Sequence, residues 1–323
     1  MQHRFKIIDL FSFSEPYEKE ILLLKLQLGS PYIHEWVLVE NDYTLQGVFK
    51  GYFAEQVLNS DDRFQPYRER IKIFKCSYRP EAEVIDDHYT FKVEFYQRDF
   101  PSDYLLSHHP DGYVIISDTD ECPDLTEEKR LRELEEKIAY MEDIIELPTK
   151  RYWFDFDNEY KITMATPLQR ISSIRDKDLP SSRARILHRR PITEKWKNFI
   201  VFEYSHCFDK EALLRKFETF THTGFTRDDM ELALACNHRP LLSGTGQQIR
   251  LNEKFLFDTI QLTPRNSPLL VRQQLTSLKT NIVDPEYASN RKKHYPTLFT
   301  PLKTARYQLK LLVKSILNRS VAR

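Results

Sequence analysis

Tyr113-Val114-Ile115-Ile116-Ser117-Asp118-Thr119-Asp120-Glu121 is an apolar run that ends directly in acidic and hydroxylic side chains. Residues 113–117 crowd β-branched and aromatic groups into a short segment bounded by polar residues, the pattern of a buried strand. In open α/β sheets the carboxyl end of such a strand is where ligands bind. Asp118 and Asp120 stand two residues apart, so on an extended segment both project to the same side. Two carboxylates so placed reach one hard divalent cation, which in turn commonly holds substrate phosphates. The stretch therefore suggests an enzyme that handles a nucleoside diphosphate.

The flanking sequence gives that strand a sheet. Lys6–Leu10, Ile33–Glu40 and Ile71–Phe74 read as three further strands. Helical patterns over Pro16–Leu28 and Phe91–His108 separate them, an alternation that argues for an α/β sheet with parallel members. Asp124–Leu147 reads as a long helix: Asp124 with Glu127 resembles a capping box, and Leu131, Leu134, Ile138, Met141 and Ile145 form one apolar stripe stopped by Pro148. Further on, Arg151–Asp157, Arg183–His188 and Asn198–Tyr204 read as strands, and Asp209–Phe220 and Thr226–Asn237 as helices opened by capping residues.

The chain has 323 residues, 41% hydrophobic and 30% charged, with a formal net charge of zero, so no global field announces a polyanionic partner. The cysteines Cys76, Cys122, Cys207 and Cys236 lie far apart without a CxxC pair, which argues against a zinc site or a disulfide framework and for a reducing compartment. The amino terminus lacks the apolar region of a signal peptide, and no run is long enough to span a bilayer, so the expectation is a cytoplasmic protein. After Glu286 the chain carries no acid but nine Lys or Arg residues, and Leu309, Leu311, Leu312, Val313, Ile316 and Leu317 make its last part a basic amphipathic helix candidate. A division follows at residues 1–244 and 245–323. The tail has three readings: a solvated helix, a segment lying peripherally on an anionic membrane surface, or a contact with DNA phosphates.

Several segments recur in order: Ile8-Asp9-Leu10-Phe11-Ser12-Phe13, Val39-Glu40-Asn41-Asp42-Tyr43-Thr44-Leu45-Gln46-Gly47, Ile115 to Pro123, Phe202-Glu203-Tyr204-Ser205-His206 and Arg215-Lys216-Phe217-Glu218-Thr219-Phe220-Thr221-His222. Together, over residues 5–240, they resemble glycosyltransferase family 17, the β-1,4-mannosyl-glycoprotein β-1,4-N-acetylglucosaminyltransferase family. The resemblance implies a GT-A type fold, a Rossmann-like mixed sheet flanked by helices, and an inverting, metal-dependent transfer from a nucleotide-sugar. Where the family has Gly-Trp-His before a tyrosine, this chain has Ile200-Val201-Phe202-Glu203. The membrane anchor of the animal enzymes is not seen, so Golgi residence is not expected.

Roles are assigned on that basis. Asp120 is the first choice of ligand for Mn²⁺ or Mg²⁺, and Asp118 meets the metal directly, through water or through the donor ribose. His222 is the third ligand the resemblance implies, with His206 as runner-up. Glu40 and Asn41, at another strand end, suit a uracil-like base or a ribose hydroxyl, and Arg98 a phosphate. Glu203, Asp228 and Asp229 are candidates for the base that takes the acceptor proton. The reading is transfer of a hexose or N-acetylhexosamine from a UDP-sugar to a glycan or lipid-linked saccharide. The alternatives are transfer to a hydroxymethylated base in DNA, a non-catalytic sugar-nucleotide-binding module, and a metal-dependent nucleotidyltransferase.

Overall fold

The structure is a computed structural model, and it describes residues 4–30, 32–81, 85, 87–153, 156, 158–174, 195–205, 207–219, 257–259 and 261–281. Its strands are β1 (Ile7–Ser12), β2 (Ile33–Asn41), β3 (Ile71–Cys76), β4 (Tyr113–Asp118), β5 (Glu121–Pro123), β6 (Ile144–Trp153), β7 (Asn158–Arg170), β8 (Val201–Ser205) and β9 (Phe257–Thr259). Its helices are α1 (Lys19–Gly29), α2 (Ala54–Asn59), α3 (Asp87–Asp99), α4 (Ser102–His108), α5 (Glu128–Tyr140), α6 (Lys210–Thr219) and α7 (Leu269–Asn281). The described strands form one mixed sheet in the order β3-β2-β1-β4-β7-β6-β8-β5, with β9 paired to β7. This is an α/β Rossmann-like architecture. The first four strands are parallel, and β7 then joins β4 antiparallel.

Chain order and sheet order together dictate the shape. β4 and β5 are separated in sequence by Thr119 and Asp120 alone, yet three strands stand between them in the sheet. The sheet must curl back on itself for both to be true. The strand order also reverses between β1 and β4, whose carboxyl ends pair Ser12 with Asp118. That is the topological switch point, where α/β sheets leave a crevice for ligands.

Period-two alternation sorts the central strands onto two faces. Ile7 and Phe11 of β1 and Ile115 of β4 join the core under α1. Ile8, Leu10, Val114 and Ile116 point the other way and pack with Leu105 of α4. Helix α1 is apolar nearly all round, as a helix enclosed on several sides must be. Its Leu22, Leu23 and Leu26 face the β1-β2-β4 core, while Ile21, Leu24 and Leu28 join Cys122, Tyr152, Phe202 and Val271 under the curled half. Residues 257–281 pack onto this sheet: Val271 is part of its core, and the Tyr152 hydroxyl donates to the Asn266 carbonyl.

Several sequence expectations shift. The helix over Pro16–Leu28 divides into a 3-10 turn at Pro16–Glu18 and α1. The helix over Phe91–His108 breaks at Pro101 into α3 and α4. The expected helix Asp124–Leu147 is wrong beyond Tyr140. Only Glu128–Tyr140 is helical, and Ile144 opens β6. Pro148, read as a helix stop, lies within that strand. Its carbonyl accepts from Ile200 N–H just before the β8 ladder starts at Thr149, where a missing proline donor is tolerated. The strand expected at Arg151–Asp157 is the end of β6, which stops at Trp153. The strand Arg183–His188, the helix Thr226–Asn237 and the basic tail lie outside the described residues. Among the described residues no helix is long and apolar enough to cross a membrane.

Arg130 of α5 ties the curled half together. It is fully buried, ion-pairs with Asp124 and with Glu127 at 2.7 Å, and donates to the carbonyls of Phe199 at 3.0 Å and Pro264 at 2.9 Å. Removing one member of such a buried pair strands the other. Arg130→Ala is therefore expected to cost about 3–5 kcal/mol in urea denaturation; a loss near zero would mean that the network adds nothing to the fold.

Candidate functional site

The Asp118–Glu121 turn is held from beneath by a lysine. Lys25 of α1 is fully buried, and its ammonium donates to Ser117 Oγ at 2.8 Å and to the carbonyls of Glu121 at 2.5 Å and Asp118 at 3.2 Å. It lies 3.0 Å from Asp9 Oδ2 of β1, and Ser117 Oγ donates to Asp9 Oδ1 at 2.6 Å. Alternation explains the arrangement: Asp9 and Ser117 share the face of the sheet that meets α1, whereas Asp118 turns to the opposite face. Burial pushes the Asp9 carboxyl above its usual range against the pull of Lys25. The ammonium thus orients the backbone that carries both candidate ligands.

Each of those ligands meets a cation from a different helix. Arg98 of α3 donates to Asp118 Oδ1 at 2.6 Å and pairs with Glu94 at 2.5 Å. Lys216 of α6 donates to Asp120 Oδ2 at 2.7 Å. Next to it, Arg215 grips Glu15 with two bonds of 2.8 and 2.9 Å, and Asp209 Oδ1 caps α6 by accepting from Ala212 N–H. Glu18 completes the turn, accepting from Ser14 N–H at 2.7 Å and from Thr119 Oγ1 at 3.4 Å. Burial pushes the Glu18 carboxyl up to about 7, opposed by Lys216 and the Ser14 amide and reinforced by Asp120 and Asp118. Burial disfavours the charged form of Lys216, but Asp120, Glu18 and Asp118 outweigh it and hold the ammonium above its usual value.

Glu40 and Asn41 stand at the β2 carboxyl end as expected, with side chains engaged by the chain itself. Glu40 is fully buried and accepts from the backbone N–H groups of Phe53 at 2.6 Å and Ala54 at 3.0 Å, and from Lys50 at 3.4 Å. Asn41 accepts from Tyr78 N–H and donates to the Tyr78 carbonyl, both at 2.9 Å. They fix the loops beyond β2 and β3. Gly47 shapes the first of these: its φ is +79°, and a Cβ there would sit 2.4 Å from the Tyr89 hydroxyl. A cavity of about 310 Å³ lined by Arg79, Pro80, Glu81, Ile85 and Tyr89 adjoins the Asn41-held segment.

Glu203 lies on β8 opposite Glu121 of β5, which brings it beside the turn. Its carboxylate accepts from Arg151 Nη2 at 2.6 Å and from Ser205 Oγ. Glu121 in turn accepts from Asp118 N–H at 3.2 Å. Arg98 thus meets Asp118, Glu203 stands across the ladder from Glu121 with its carboxylate on Arg151 and Ser205, Glu40 and Asn41 stand at the end of β2 beyond β1, and His206, His222, Asp228 and Asp229 lie outside the described residues. Among the described residues no three His, Cys, Asp or Glu side chains are grouped to hold a metal ion. Sequence reading passed over Lys25, Glu18 and Lys216. Lys25 carries a signal, a lone charge inside Ile21-Leu22-Leu23-Leu24-Lys25-Leu26.

Residues 1–223 match the family model described as glycosyltransferase family 17. This is well over half of the chain, which therefore belongs to that family and is a glycosyltransferase. No curated protein matches the sequence.

Two measurements check the site. Lys25→Met strands Asp9 in the core and is expected to cost about 3–5 kcal/mol of stability; Asp9→Asn added to it should recover part of the loss, and strict additivity would deny the coupling. Glu18 titrates near 7 in the fold against an ordinary 4.5. Between those values the folded state holds more protons than the unfolded one, so this group's contribution to stability falls as pH rises through the window. The wild type should show that decline in its melting temperature, and Glu18→Gln should flatten it.

Proposed function

We propose that this family 17 glycosyltransferase has a GT-A type site and moves a hexose or N-acetylhexosamine from a nucleoside-diphosphate donor, a UDP-sugar, to a glycan or lipid-linked saccharide. The observation that supports it is the placement of Asp118 and Asp120 on a buttressed turn at the switch point between β1 and β4. Their carboxylates are hard oxygen donors suited to Mn²⁺ or Mg²⁺. Asp118 and Asp120 would hold the ion, with His222 as the third ligand. Bound there, it would neutralise the charge that grows on the departing diphosphate.

The remaining residues bind and orient. Arg98 offers a planar fork of donors beside Asp118, placed to take a phosphate oxygen. Glu40 and Asn41 hold the loops over the ends of β2 and β3, and the cavity at Arg79 and Tyr89 is the place we assign to the nucleoside. Glu203, fixed by Arg151 and Ser205, and Asp228 or Asp229 remain the candidates to accept the proton of the attacking hydroxyl.

A thermal-shift screen of nucleotide-sugars with and without Mn²⁺ tests this reading, because a ligand at 100 times its Kd stabilises the fold by about 2.7 kcal/mol. A UDP-sugar should raise the melting temperature only with the metal present. Asp120→Asn should abolish that shift and lower transfer by more than the roughly 10–100-fold typical of residues that merely support a ligand. A flat screen, or an active Asp120→Asn enzyme, would refute it.

A further inference from the structure

Lys216 is not among the side chains that anchor its own helix. Helix α6 is docked without it: Leu213 and Leu214 lie in the core, Arg215 holds Glu15 with two bonds, and Asp209 caps the first turn. Nevertheless Lys216 extends across the end of the β4 turn to Asp120 Oδ2 at 2.7 Å. Its ammonium passes 5.0 Å from the Phe208 ring, and its side chain is largely covered. One cation and one carboxylate oxygen of the Asp-x-Asp therefore occupy each other.

We propose that Lys216 is an exchangeable counter-ion of the Asp-x-Asp turn, holding Asp120 until a divalent cation takes up that carboxylate and then turning onto the donor's diphosphate. This rests on reading Asp118 and Asp120 as the cation-binding pair. An ammonium and a divalent cation drawn to one carboxylate oxygen repel each other, so they compete for it. Displaced from Asp120, the ammonium still sits among Glu18 and Asp118, and an arriving diphosphate offers it new oxygens at the same turn. Lysine suits the exchange, being a compact point charge on a flexible stem with three rotatable donors. Arg98 does for Asp118 what Lys216 does for Asp120, from the opposite face. The paired cations keep the two carboxylates satisfied before the metal and donor arrive.

Exchange predicts opposite signs for two affinities, which a merely structural lysine would not give. Calorimetric titration of the full chain with Mn²⁺ alone, then with inorganic pyrophosphate at saturating Mn²⁺, reads both. Lys216→Gln should bind Mn²⁺ about tenfold more tightly and pyrophosphate about tenfold more weakly, the scale of removing one nearby charge. Lys216→Arg, whose fork holds a carboxylate harder, should weaken Mn²⁺ binding instead, and it carries the test if the glutamine variant does not fold. Affinities that fall together, or that do not move, overturn the exchange while leaving the metal site standing. If neither wild type nor variants bind Mn²⁺, the reading of Asp118 and Asp120 fails and takes the exchange with it. A variant that binds Mn²⁺ where the wild type does not would establish the competition directly.

Discussion

A fully buried ammonium must be surrounded by acceptors, and Lys25 is where this fold meets that demand. Leaving such a charge unpaired in a core is far more costly than leaving out a hydrogen bond. Its acceptors come from three strands: Asp9 on β1, Ser117 and the carbonyl of Asp118 on β4, and the carbonyl of Glu121 on β5 across the turn. The Lys25 ammonium also sits 4.7 Å from the Phe11 ring. The turn cannot relax without abandoning the charge. A geometry that a surface loop would leave loose is thereby coupled to the core of the protein.

The curl of the sheet supplies the other half of the constraint. Because β5 must pair with β8 only two residues after β4 ends, the backbone of Asp120 is drawn into the far ladder, where its carbonyl accepts from Tyr204 N–H at 2.9 Å. The side chains then sort by alternation. Ser117 faces the helix that carries Lys25, and Asp118 faces the helix that carries Arg98. Charge is distributed accordingly: the ammonium that shapes the turn works beneath it through backbone, and the cations that touch the carboxylates reach them from α3 and α6.

Much of this was legible in sequence, for reasons that also explain what was not. Strands β1, β2 and β4 are buried on both faces, so their apolar runs stand out without tertiary information. The segment after Tyr140 misled because Ile138, Met141 and Ile145 continue a helical spacing by coincidence. Ile145, Leu147 and Thr149, all buried, show the alternation of the strand that actually forms. The curl could not be read at all, since the partner of β5 lies some 80 residues away and nothing local encodes the pairing. At the site, the Asp-x-Asp and its placement at a strand end were visible. Glu40 and Asn41 were visible too, but whether a buried carboxylate or amide serves a ligand or its own backbone is decided by which N–H groups the loops return to it, and here Phe53, Ala54 and Tyr78 return theirs.

The same limit applies to Lys216. It lies in a segment marked by its family likeness, yet in sequence it is one of two adjacent cations on a helix. Structure separates the two by their partners. Arg215 spends two parallel donors on Glu15, an arrangement whose directionality makes it a fixed anchor. Lys216 spends one donor on Asp120 and keeps a flexible stem. Exchanging the two residue types would place the rigid fork on the carboxylate that must be given up and the mobile charge on the contact that must persist. The order Arg215-Lys216 is therefore the one that allows α6 to stay docked while its cation changes partner.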